Sequence, residues 1–188
     1  MGEHVLRERE RALENAFFAR QDEVLLARLR DADRQRARRE ALAAASGLQD
    51  EALLDRLAAM NIGPDSLAAL MLAPMVLVAW ADGVITPKER AAIRQAAVEV
   101  GVPAHPEAAA LLDSWLNAPP GKDLALAWRN YAKALSAGLD AEHRAALRRD
   151  TIGRAERVVE AAHQFLGFGA NVSAAKREVL TILDQAFA

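Results

Sequence analysis

The sequence predicts an all-α fold, a compact helical bundle, on three observations. No segment alternates apolar and polar residues at period two, apolar residues recur at helical spacing along the chain, and proline and glycine fall where helices would start and stop. Ala108, Leu111, Leu112 and Trp115 fall at i, i+3, i+4 and i+7. Ile93, Ala96, Ala97 and Val100 repeat that spacing, as do Val179, Ile182, Leu183 and Ala186. Leu124, Trp128, Tyr131 and Leu135 form a fourth stripe. A short isolated helix is marginal in water, so each stripe must be buried against a neighbour.

Taken in order, the elements are expected near 3–31, 33–46, 50–60, 64–81, 87–100, 106–117, 122–137, 140–166 and 174–187. In the first, Leu13, Phe17, Phe18, Val24, Leu25 and Leu29 line one side of a charged rod roughly 40 Å long, longer than a small domain is wide. Such a rod must wrap the bundle, break, or reach a partner; packing on its own domain is the simplest outcome. Residues 1–48 read as a helical extension and 49–188 as the main domain. Pro64, Pro87 and Pro106 sit at first helical turns, where the missing N–H costs nothing. Gly47, Gly101 and Gly138 sit at helix ends, where left-handed caps are expected. Helix 64–81 is apolar on nearly every face, as a central helix must be, and Pro74 predicts a kink inside it.

Composition narrows the function classes. The chain has 188 residues, a net charge of −2 and no cysteine. Thiolate nucleophiles, disulfides and cysteine zinc sites are excluded, and a cytoplasmic setting is expected. No overall positive field exists to hold nucleic acid. The longest uncharged stretch, 66–81, is shorter than the roughly 20 residues of a membrane-spanning helix, so direct membrane insertion is not expected. Arg34, Arg36, Arg38 and Arg39 are interleaved with Asp31, Asp33 and Glu40 and read as a solvated, salt-bridged face. Trp80, Trp115 and Trp128 fall on apolar faces and are expected in the core. His4, His105, His143 and His163 lack the spacing of metal ligands.

The most specific local sequence is Ala81-Asp82-Gly83-Val84-Ile85-Thr86-Pro87-Lys88-Glu89. It matches the second half of a calcium EF-hand loop, but Val78 and Trp80 stand where the leading oxygen ligands belong. A capping reading accounts for most of it: Thr86 caps the next helix, Pro87 takes its first position, and Glu89 completes a capping box. Gly83 supplies a positive φ. Asp82 is left over, either bonded to loop amides or, with Glu89, a metal ligand.

An apolar helix ending in Ala-Asp-Gly, then an aliphatic residue, a cap, a Glu and a helix closing at Gly resembles the TerB-like (tellurite-resistance TerB) family. The resemblance is clearest over 64–101 and returns at 163–187, with the first sixty residues similar to the extension of longer bacterial members. It implies two related helical halves, each with an acidic loop, binding a divalent cation of calcium or magnesium type at Asp82 and Glu89. It also implies a non-catalytic binding or scaffold role, with a protein partner, in bacterial stress response.

The second loop departs from that pattern. Setting Val172 on Ile85 matches Ser173 to Thr86, Gly169 to Asp82 and Lys176 to Glu89, so both acidic residues are gone. Two carboxylates make a weak site for a hard cation. A sharper expectation follows from the charge swap: Lys176 crosses to Asp82 or Glu89, its ammonium standing where the family holds an ion. The competing readings are an oligomeric structural protein without metal, forming a homodimer through the first helix, and a hydrolase using the acidic loop.

Overall fold

The computed structural model describes residues 2–166 and 173–187, with side chains described over 19–161 and 173–187. All regular structure among the described residues is helical. The chain runs α1 (Gly2–Ser46), α2 (Glu51–Ala59), a 3-10 turn (Pro64–Ser66), α3 (Leu67–Leu70), α4 (Ala73–Ala79) and α5 (Pro87–Glu99). It continues through a 3-10 turn (Val102–Ala104), α6 (Pro106–Asn117), α7 (Asp123–Ala137), α8 (Ala141–Leu166), α9 (Ala174–Asp184) and a last 3-10 turn (Gln185–Phe187).

Helix α4 is the axis of the bundle and packs against α5, α7, α8 and α9. Its Ala73, Pro74, Met75, Val76, Val78 and Ala79 are all buried, which only an apolar helix surrounded by others can tolerate. The expected stripes supply the surrounding faces. Ile93 and Ala96 of α5, Leu112 and Trp115 of α6, Leu124 and Trp128 of α7, and Leu183 of α9 all enter the core. The Trp128 ring meets Phe187 edge-on at a centroid distance of 6.0 Å, fastening the C-terminal turn to α7.

Several local expectations change in the folded chain. Pro74 ends one helix and starts another instead of kinking a single one. Met71 N–H and Leu72 N–H donate to the carbonyls of Ala68 and Ala69 in tight i−3 bonds, and α4 then begins with Pro74 in its first turn. Gly101 adopts the left-handed conformation with φ 78°, whereas Gly138 closes α7 with φ −87° and needs no glycine freedom.

The N-terminal region departs furthest. No break occurs near residue 32, and α1 is one 45-residue helix, about 67 Å long at 1.5 Å per residue. Among the described side chains of α1, those of its last part dock on the bundle. Leu42 is fully buried, Arg38 Nη1 donates to Asn61 Oδ1 at 3.1 Å, and Arg39 pairs with Asp55 at 3.2 Å. Residues 19–37 stand exposed. Two arginines of the basic run thus anchor the helix, while Arg34 pairs with Asp31 on the exposed face as a solvated pair would.

Candidate functional site: an ammonium between two carboxylates

The site lies where α4 leaves the core. Trp80 is half-buried, not fully enclosed, and its indole Nε1–H donates to the carbonyl of Trp115 at 2.8 Å. That bond ties the end of α4 to α6 and fixes where the loop starts. Gly83 N–H donates back to Trp80 O at 2.8 Å, and Gly83 takes φ 87° to turn the chain. Ile85 is buried and pins the far side of the loop.

Helix α5 then starts with a full capping box. Glu89 N–H donates to Thr86 Oγ1 at 3.2 Å, and Thr86 N–H donates to Glu89 Oε2 at 2.8 Å. The Thr86 hydroxyl donates to the same Oε2, also at 2.8 Å. Here the capping box does more than close a helix end, because it draws a carboxylate into the protein. Glu89 has no exposed surface.

A buried carboxylate needs a counter-charge, and it comes from the other end of the chain. Lys176 lies in the first turn of α9, which Ser173 caps by accepting from Lys176 N–H at 3.2 Å. Its Nζ donates to Glu89 Oε1 at 2.5 Å and stands 2.9 Å from Asp82 Oδ2. The Lys176 side chain is 6% exposed and that of Asp82 38%. Burial works against the ammonium, but its hydrogen bonds to Glu89 and Asp82, and their negative charge, outweigh that penalty. Its pKa stands above the ordinary 10.5.

The two carboxylates expected to bind a cation are therefore brought together, around a cation the chain supplies itself. Three of their four oxygens are engaged: both of Glu89, by Thr86 and Lys176, and one of Asp82. A divalent ion wants six or more oxygens and would have to displace the ammonium. The donor set does not fit that ion well. Among the described residues, no group of three or more His, Cys, Asp or Glu side chains is placed to hold a metal. Gly167–Val172 of the second loop, and His4 and His163, lie outside the residues whose side chains are described. His143 sits on the surface against Asp140, where its ring and backbone hydrogen bonds hold the Asp140 carboxyl below its usual range. His105 is exposed ahead of α6.

The caps of α5 and α9 correspond, with Thr86 and Glu89 at the same positions as Ser173 and Lys176. The third residues carry opposite charges and meet. One signal for this was present in the sequence. Lys176 heads the stripe Val179, Leu180 and Leu183 on the apolar face of α9, in a first turn where a cation opposes the helix dipole. The anchoring role of Arg38 and Arg39 had no comparable signal. No family model, curated protein or solved structure matches the chain. Among the described residues, no helix is long and apolar enough to cross a membrane.

Proposed function

We propose that this chain is a non-catalytic helical binding module of the TerB-like type, working with protein partners, in which the Lys176 ammonium takes the place of a bound divalent cation. The observation that carries the reading is the contact of one buried Nζ with both Asp82 and Glu89. A bound ion in such a loop would clamp two helix starts together, and its occupancy would follow the ion's concentration. An ammonium on α9 clamps the same parts permanently, so the fold is independent of ions. An acid–base role at this loop is disfavoured, since Glu89 is sealed from any substrate and both its oxygens are committed. The family resemblance over 64–101 supports the stress-linked, scaffolding character of the module.

The test is a thermal melt of wild type and Asp82→Ala, first with chelator and then with calcium, magnesium, manganese or zinc. Equal wild-type midpoints in every condition are expected. A ligand at about 100 times its Kd adds about 2.7 kcal/mol, a shift of several degrees. A metal-specific rise of that size, abolished in Asp82→Ala, would overturn the ammonium reading in favour of an ion site.

A further inference from the structure

The exposed part of α1 has an apolar face that no described residue of its own bundle covers. Val24, Leu25, Leu26 and Leu29 are 48%, 56%, 51% and 53% exposed. Val24 and Leu25 precede Leu42 and Ala43 by about five full turns at 3.6 residues per turn, so each pair shares one side of the helix. Leu42 is buried against the bundle and Ala43 packs beside it. At 100° per residue Leu25, Leu29 and Leu26 span about 100° of the helix and lie beside the side on which Leu42 docks, and no described part of the bundle covers them.

The charges say what meets it. Residues 2–23 contain six acidic and four basic residues, whereas residues 24–37, ahead of the anchoring Arg38 and Arg39, contain four basic and two acidic. The helix is thus negative in its first half and positive in its second. We infer that α1 pairs with the α1 of a second copy of this chain, antiparallel, crossing near Val24 and Leu25. That orientation brings Asp22 and Glu23 of one copy alongside Arg28 and Arg30 of the other, and buries the leucines between them. A parallel pair would set acidic half against acidic half and basic against basic, at an energetic cost. Antiparallel packing also opposes the two helix dipoles. This surface is separate from the Lys176 cluster, so either reading can fail without the other.

Light scattering on the full chain tests the pairing. The expected mass is twice the chain's 20.3 kDa, and Leu25→Glu combined with Leu29→Glu is expected to return it to a single chain. Both positions are exposed, and Trp80, Trp115 and Trp128 all lie in the bundle, so unchanged tryptophan emission certifies that the variant is folded. A wild-type chain that is monomeric throughout a concentration series, or a folded double variant that stays dimeric, would overturn the inference. Orientation is read from disulfides, since the chain has no cysteine of its own. Gln21→Cys mixed with Arg28→Cys is expected to give the mixed disulfide in preference to either homodisulfide. Efficient homodisulfides from each variant alone would establish a parallel pair and sink the antiparallel assignment.

Discussion

Replacing Lys176 by methionine keeps a long apolar stem in the same space and deletes only the ammonium. Asp82, with 38% of its side chain exposed, can turn to water and loses little. Glu89 cannot, because it has no exposed surface. Its Oε2 keeps the two donors from Thr86, but its Oε1 loses the ammonium, leaving an uncompensated charge in the core. Breaking a buried pair in this way costs about 3–5 kcal/mol. The freedom of Asp82 to rehydrate places Lys176→Met at the lower end, about 3 kcal/mol. For a chain of this size each kcal/mol moves the midpoint by about 2–4 °C, so a fall of about 6–12 °C is expected by calorimetry or circular dichroism. Adding Glu89→Gln removes the stranded charge while keeping an oxygen for the Thr86 N–H. The double variant should therefore melt well above the temperature predicted by summing the two single effects. A fall of less than about 2 °C for Lys176→Met, or strict additivity of the pair, would refute the claim that this ion pair holds the loop.

The raised pKa of Lys176 gives a second check with a definite sign. Its contribution to stability is fully present below about pH 10.5 and is lost as pH climbs through its higher folded value. Tyr131, whose pKa burial also raises, weakens the fold over the same alkaline range. The informative quantity is thus the difference between wild type and Lys176→Met, which should shrink above pH 10.5 in denaturant titrations; a constant difference would contradict the assignment. Thr86→Ala removes the cap of α5 and one pair of contacts to Glu89, and is expected to cost about 1–2 kcal/mol by urea unfolding. An effect under about 0.5 kcal/mol would show that the cap is not holding the carboxylate in place.

Much of the local structure was legible because it is decided within one or two helical turns. Thr86 with Glu89 three residues on fixed a capping box, proline marked the first turns of α5 and α6, and Gly101 took its left-handed cap. The apolar stripes of α5, α6, α7 and α9 named their own buried faces. The pairing of Lys176 with the acidic loop was readable as well, through a charge swap between two matching caps. Its distance and its depth were not.

What the sequence determined by itself is therefore the helices from α5 to α9, the caps of α5 and α9 and the faces these helices bury, all products of interactions between near neighbours in the chain. Tertiary structure decided the rest. It broke the 64–81 helix at Met71 and Leu72, because neighbours on every side of α4 make up for the interrupted hydrogen bonds of a proline start. It made α1 one continuous helix and let residues 19–37 stand clear, since the described side chains that meet the bundle, Arg38, Arg39, Leu42 and Ala43, lie in its last part. And it carried Lys176 across 87 residues to Glu89. Burial of a charge is a property of everything packed around it, and no local spacing records that.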